Sequence, residues 1–265
     1  MHGLGNDFVI FDAREQVVDL SAEKIRELSC RSTGIGFDQL GIIHPSKSEQ
    51  AYVFFSIFNA DGSEVEACGN LTRCIAKLLF KESGKGSLVL EAVSGFLECS
   101  AAGDKISVDM GEPKFKPEEI PLSIEEDTFC LPLEVDELRN PLAVNIGNPH
   151  AVFFVEDVSE INIPVLGPKI EHNILFPECV NVEVVQVLSR SEIRMRVWER
   201  GVGMTKACGT GACASAVAAI RSELTDRKVT VILDGGELEI EWREEDGHVI
   251  MTGDATEVFR GEIDL

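Results

Sequence analysis

Ala207-Cys208-Gly209-Thr210-Gly211-Ala212-Cys213 repeats a device met earlier as Ala67-Cys68-Gly69-Asn70-Leu71-Thr72-Arg73-Cys74. In each, a cysteine and a glycine precede an apolar run, Ile75 to Phe80 in one and Ala214 to Ile220 in the other. The spacing predicts helices over roughly 71–82 and 211–222. A cysteine at a helix start sits among backbone N–H groups that lack an intrahelical partner, at the positive end of the dipole. That position favours a reactive thiolate, and the same N–H groups hold carboxylates. Two such places in one chain point to two thiols serving one small anionic ligand.

The echo reaches beyond the cysteines. Cys208 lies as far past Cys68 as Glu199 lies past Asn59, and each pair follows an aromatic strand end, Trp198 or Phe58. Asn181 lies as far past Gln39 as Gly147-Asn148 lies past Gly5-Asn6. Such recurrence reads as a duplication: two similar halves, each of many short strands plus one glycine-started helix, an α+β chain. Strands are expected at Phe8–Phe11, Leu40–Ile43, Tyr52–Phe58, Leu88–Leu90, Gly95–Cys99 and Lys105–Met110. In the second half they are expected at Leu142–Ile146, Ala151–Val155, Asn181–Val187, Glu192–Trp198, Val229–Leu233, Glu237–Trp242 and His248–Thr252. Ser21 caps a short helix to Ser29, and Asp234-Gly235-Gly236 reads as a hairpin turn. Residues 111–135, rich in Pro and Glu, read as the linker.

With 265 residues the chain can bury a real core without disulfides. A net charge of -22 argues against nucleic acid, whose affinity comes from basic side chains on phosphates, and against an anionic membrane surface. No run has the length of a membrane span and the start carries no secretory signal, so the cytoplasm is the expected compartment. Eight cysteines there read as free thiols. Cys30, Cys99, Cys130 and Cys179 are taken as small apolar filler, and Cys74 and Cys213 as core packing. The acidic runs Glu118-Glu119, Glu125–Asp127 and Glu244–Asp246 read as solvated faces. A lone Gly34/Gly36 loop is a weak nucleotide signal. His150 and His2 line a pocket or are satisfied structural histidines, both readings standing; His44, His172 and His248 read as surface or packing residues.

Alike halves facing each other across a cleft would set the two helix starts nose to nose. Asn6, Gln39, Asn59, Asn148, Asn181, Glu199 and Arg200 would stand at the rim, a set suited to a zwitterion. Inverting a carbon centre needs one base to remove a proton and an acid on the opposite face to return one. Cys68 and Cys208 fit those two roles, one as thiolate and one as thiol, titrating as a coupled pair. The N–H groups of Gly69, Asn70, Gly209 and Thr210 would stabilise an enediolate-like intermediate.

These residues closely resemble the diaminopimelate epimerase family. The stretches that carry the likeness are His2–Phe8, Phe58–Ser63, Cys68-Gly69-Asn70 with Arg73-Cys74, Gly147–Ala151, Asn181-Val182-Glu183, Arg196–Gly201 and Ala207–Gly211. They span almost the whole chain in the expected order. The resemblance implies a cofactor-independent, metal-free epimerase interconverting LL- and meso-diaminopimelate for lysine and cell-wall synthesis, as a homodimer. It implies Cys68 and Cys208 as the acid–base pair, with Asn6, Asn59, Asn148, Asn181, Glu199 and Arg200 on the substrate, mainly at its non-reacting end. Gln39 falls at a further contact position, and Gly69-Asn70 and Gly209-Thr210 grip the reacting carboxylate. The fold it implies has two pseudo-symmetric halves, each a mainly antiparallel sheet wrapped around a central helix. One half is 1–112, with 253–265 returning to it; the other is 113–252. The chain departs from the family at Leu71, where many members have glycine, at Met204, where glutamate is frequent, and in having only Met1 before His2. Two rival readings remain: a proline-racemase-like enzyme for another amino acid, and a non-catalytic protein that binds metal or forms a Cys68–Cys208 disulfide.

Overall fold

The computed structural model describes residues 1–125 and 127–265. Glu126, within the acidic run Glu125–Asp127, lies outside the described residues. The chain forms two compact units, Met1–Val108 with Gly253–Leu265, and Asp109–Thr252.

The first unit contains β1 (His2–Gly3), β2 (Asn6–Asp12), α1 (Ala22–Ser29), β3 (Gln39–Pro45), β4 (Val53–Asn59), β5 (Glu64–Val65), α2 (Gly69–Ser83), β6 (Ser87–Ala92), β7 (Gly95–Ala102) and β8 (Lys105–Asp109). Its strands lie in the order β1-β2-β3-β4-β6-β7-β8, with β5 against β4. Two joins are parallel, β2 to β3 and β4 to β6. Parallel neighbours need a long crossover, and the crossovers carry α1 and α2. The Ser21 hydroxyl accepts from the Lys24 N–H at 3.2 Å to cap α1, and α2 ends at Gly84 in the left-handed region, with φ 69°. At the other end of the unit, His2 and Thr256 exchange backbone hydrogen bonds of 2.9 and 2.8 Å.

Leu71, a departure from the family pattern, is fully buried. Gly41 makes room for it: a Cβ there would stand 3.1 Å from Leu71 Cδ2. Gly34 is packed so tightly under the last turn of α1 that a Cβ would meet the Glu27 carbonyl oxygen at 2.3 Å. The Gly34/Gly36 loop is therefore a close backbone contact that ends α1, which leaves the nucleotide signal without support.

The second unit contains β9 (Glu134–Val135), β10 (Leu138–Arg139), β11 (Leu142–Asn145), β12 (Pro149–Phe154), α3 (Ile163–Glu171), β13 (Asn181–Ser189), β14 (Glu192–Glu199), β15 (Gly203–Thr205), α4 (Gly209–Arg221), β16 (Lys228–Leu233), β17 (Gly236–Trp242) and β18 (Val249–Gly253). Its main sheet runs β18-β17-β16-β14-β13-β12-β11, with β15 against β14, while β9 and β10 pair separately. The parallel joins are β12 to β13 and β14 to β16, crossed by α3 and α4. Each unit thus repeats the other's connections, helix for helix, which is the duplication seen in the sequence. The registers repeat as well: Phe8 stands opposite Gln39, and His150 opposite Asn181. The fold is α+β with two pseudo-symmetric halves.

α4 touches β11, β12, β13, β14, β16 and β17, and Gly211 to Ala219 are all buried. A helix buried on every side suits its run of alanines, which let the sheet close around it.

Three expectations need correction. Residues 111–135 are no linker: Ile120, Leu131 and Leu133 lie in one apolar core with Leu166, Ile170 and Phe176. Their irregular spacing among Pro and Glu hid that role. Helix α3 was not foreseen, because Pro164, Gly167 and Pro168 all oppose a helix. It forms because Ile163, Leu166 and Ile170 are buried in the same core. Cys30 and Cys130 are exposed rather than filler, whereas Cys99 is buried and Cys179 half-buried.

Gly167 supplies a test of this packing. A Cβ there would lie 2.4 Å from Trp198 Cγ. Helix propensity alone would make Gly167→Ala stabilising by about 1 kcal/mol. The expected outcome is instead a loss of roughly 1–3 kcal/mol by overpacking, read from denaturant unfolding followed by tryptophan fluorescence. An unchanged or raised stability would contradict the packing.

Candidate active site

In the first unit Cys68 is the N-cap residue of α2 and is half-buried. Its carbonyl accepts from the Thr72 N–H and the Thr72 hydroxyl, both at 2.9 Å. No acidic residue occupies the first turn. Asn70 is buried with its side chain turned inward: Oδ1 accepts from Arg73 Nη2 at 2.8 Å, and Nδ2 donates to Asn6 Oδ1 at 3.3 Å. What Asn70 leaves at the helix tip is its backbone N–H. Arg73 is fully buried and also donates to the Asp254 carbonyl at 3.4 Å.

Asn6 donates to Asp38 Oδ2 at 3.0 Å. Asp38 and Asp7 share the Arg31 guanidinium at 2.8 Å each. The Arg31 hydrogen bonds hold the Asp7 carboxyl below its usual range, against the opposing effect of burial. Gln39 and Asn59 face each other across β3 and β4, where Gln39 Nε2 donates to Asn59 Oδ1 at 3.0 Å. Asn59 Nδ2 continues to the Ser63 hydroxyl at 3.1 Å. Among the named residues of this unit, Asn6 meets Asn70 and Gln39 meets Asn59.

In the second unit Cys208 is the N-cap residue of α4 and is buried. Its Sγ accepts from the Gly211 N–H at 3.3 Å and lies 3.5 Å from the Thr210 hydroxyl. The helix tip was expected to lower this thiol's pKa. The reverse holds: burial pushes it well above the ordinary value, and Glu199 and Glu183 push it further. Burial, with Glu199 and Glu183, outweighs the lowering effect of the Thr210 hydroxyl and the Gly211 N–H at the helix tip. Burial likewise raises the Glu199 carboxyl, opposed by hydrogen bonds from the Thr205 hydroxyl and the Cys208 thiol.

Asn181 is buried, and its amide is committed to backbone. Nδ2 donates to the Pro149 carbonyl at 2.9 Å, and Oδ1 accepts from the Arg200 N–H at 3.0 Å. This ties the start of β12 to the corner after β14. The Arg200 side chain is exposed and reaches the Glu178 carbonyl at 3.2 Å. Asn148 Oδ1 lies 2.8 Å from His150 Nε2, and His150 Nδ1 lies 2.7 Å from Glu183 Oε1. Of the two readings left open for His150, it is a buried residue paired on both nitrogens.

Glu183 escaped the sequence reading as a site residue, and so did Arg73. Glu183 is a charge inside an apolar strand run, Val182 to Val185, which was the signal on offer, whereas Arg73 lies among the polar residues of the first turns of α2. Cys74 is buried, and burial pushes its thiol up to about 12, as befits packing. Cys30, exposed, is held below the ordinary thiol value by the Thr33 hydroxyl and neighbouring backbone N–H groups. Among the described residues, Glu171, His172 and Cys179 cluster as metal ligands would. Glu171 is already engaged there, accepting from Trp198 Nε1 and from the Gly201 N–H, both at 2.7 Å.

Each unit by itself carries a cysteine at the start of a crossover helix, with helix-tip N–H groups and hydrogen-bonded amides nearby. The family model for diaminopimelate epimerase matches residues 1–116 and 142–258. A diaminopimelate epimerase of Rhizorhabdus wittichii is 51% identical over 266 residues, covering 100% of this chain and 94% of its own. One from Erythrobacter litoralis is 49% identical, covering 100% and 96%. In fold alone, a probable proline racemase from Agrobacterium radiobacter matches with a TM-score of 0.69 at 15% identity, covering 100% of this chain and 91% of that one. With two cysteine-started crossover helices in a repeated α+β frame and this similarity along its length, the chain belongs to the diaminopimelate epimerase family.

Proposed function

We propose that the chain is a cofactor-independent epimerase interconverting LL- and meso-diaminopimelate, with Cys68 and Cys208 as its acid–base pair. The observation that carries the reading is that each cysteine is the N-cap of the equivalent crossover helix in a duplicated fold. One thiolate takes the α-proton from one face of the carbon, and the electron pair passes into the adjoining carboxylate. The other thiol returns a proton to the opposite face. Configuration inverts, and the two sulfurs have exchanged protonation states.

The backbone N–H groups of Gly69, Asn70, Gly209 and Thr210 hold the reacting carboxylate, where negative charge grows as the proton leaves. Asn6, Gln39, Asn59, Asn148, Asn181, Glu199 and Arg200 hold the rest of the substrate, chiefly its non-reacting end. Cys208, buried with Glu199 accepting its proton in a hydrogen bond, is the thiol of the resting pair, and half-buried Cys68 the base. The family resemblance extends the reading to a homodimer in the cytoplasm, serving lysine and peptidoglycan precursor synthesis.

Cys68→Ala and Cys208→Ala are each expected to lower the epimerisation rate by about 10²- to 10⁴-fold, measured by conversion of LL-diaminopimelate to the meso form. Near-normal turnover in either variant would refute the pair. Alkylation should separate the thiols further. With iodoacetamide at pH 8, peptide mapping is expected to find Cys30 and Cys68 modified more than about tenfold faster than Cys208, whose raised pKa leaves little thiolate. Raising the pH toward and beyond the ordinary thiol range should speed Cys208 more than Cys30. Labelling of Cys208 as fast as Cys30 at pH 8 would contradict its protonated resting state.

A further inference from the structure

Asn6 opens β2 directly opposite Gly3 of β1 and is half-buried. Its amide stands between a buried cation and an exposed carboxylate. Arg73, fully buried, donates through Nη2 to Asn70 Oδ1 at 2.8 Å. Asn70, also buried, donates through Nδ2 to Asn6 Oδ1 at 3.3 Å. Asn6 Nδ2 in turn donates to Asp38 Oδ2 at 3.0 Å.

The direction of this chain is fixed by its ends. An amide on its own can be turned over, exchanging oxygen for nitrogen in nearly the same shape. A guanidinium has donors only, so Asn70 must give its oxygen to Arg73 and its nitrogen to Asn6. At the other end, Asp38 Oδ2 also accepts from the Asp7 backbone N–H at 3.1 Å, and Oδ1 accepts from Arg31 Nη2 at 2.8 Å. Both oxygens are acceptors, so Asn6 must give its nitrogen to Asp38 and its oxygen to Asn70. Turning over either amide sets two donors or two acceptors face to face. Gly3 gives the chain its room: a Cβ there would stand 3.3 Å from Arg73 Nη2 and 3.4 Å from Asn70 Cβ. After these commitments Asn6 keeps one N–H and one carbonyl lone pair for a ligand, each in a set direction.

We propose that Arg73 and Asp38 are positioning residues: from opposite ends of one hydrogen-bond chain they lock the Asn6 amide in a single orientation before substrate arrives. This rests on the epimerase reading for Asn6 as a substrate contact, though not for the orientation of its amide. A contact aligned in advance spares the complex the cost of ordering it, so loss of the lock is read in KM.

The test combines neutron diffraction with kinetics on the full-length protein. In the perdeuterated protein the amide deuterons are seen directly. Those of Asn6 are expected on the atom facing Asp38, and those of Asn70 on the atom facing Asn6; either amide turned over overturns the proposal. For LL-diaminopimelate, Asp38→Asn, whose own amide can face Asn6 with nitrogen or oxygen, should raise KM about 3- to 10-fold, the usual worth of one hydrogen bond, with kcat within about twofold. Arg31→Gln removes the ion pair but leaves the Asp38 carboxylate against Asn6, and should keep KM within about twofold of wild type. In an Asn6→Ala background Asp38→Asn should change KM by less than about twofold. At the buried end, Arg73→Lys keeps a donor-only head and should lie closer to wild type in KM than Arg73→Gln. An Arg31→Gln variant as impaired as Asp38→Asn, an Asp38→Asn effect that persists without Asn6, or an Arg73→Gln no worse than Arg73→Lys would each contradict the lock. The first two hold even if Arg73→Gln does not fold. A wild-type protein that does not turn over diaminopimelate would instead sink the epimerase reading, and the diffraction result would still decide the orientation of Asn6.

Discussion

The parallel joins β4 to β6 and β14 to β16 are the constraint from which the rest follows. A parallel pair cannot be closed by a tight turn, so the chain must leave the sheet and return through a crossover. In both units that crossover is a helix begun by a cysteine, and its first N–H groups have no intrahelical partner. Sheet topology thereby builds two helix starts of the same kind, each with a cysteine as its N-cap residue. The sheets gain the burial of α2 and α4 in the same act, so in each unit the core and the cysteine-bearing helix start are one construction.

Equal topology does not bring equal electrostatics. Beneath the first turn of α2 lies the fully buried Arg73 guanidinium, hydrogen-bonded to Asn70. Near the start of α4 lie two carboxylates, Glu183 and Glu199, which raise the Cys208 thiol together with burial. A duplicated frame has thus been given a cationic underside at one tip and an anionic surround at the other. If the two cysteines are the acid–base pair proposed above, this difference sets their starting state before any ligand arrives.

Much of this was legible in the residues themselves. The cysteine–glycine starts, the aromatic strand ends and the recurring polar landmarks are local patterns, and local patterns predict crossover helices and strands well. What escaped was decided by tertiary packing. Helix α3 contains Pro168 and Gly167, and only its burial against Trp198 and the surrounding core explains it. Residues 111–135 carry core side chains without a period. Glu183 lies within Asn181-Val182-Glu183-Val184-Val185, a run whose apolar neighbours advertise a strand and conceal a buried acid. The direction of the Cys208 shift failed for the same reason. A helix tip is visible in one dimension, whereas the carboxylates that oppose it arrive from β13 and β14.

Two sulfurs dividing the proton traffic is the claim on which the chemistry turns, and initial-rate epimerisation in D₂O tests it most directly. If one sulfur removes the α-proton and the other supplies its replacement, deuterium will accumulate at the α-carbon of the newly formed isomer while the recovered starting isomer stays protiated. Comparable deuterium in both isomers at early times would mean that a single base works both faces, and the division of roles between Cys68 and Cys208 would be wrong.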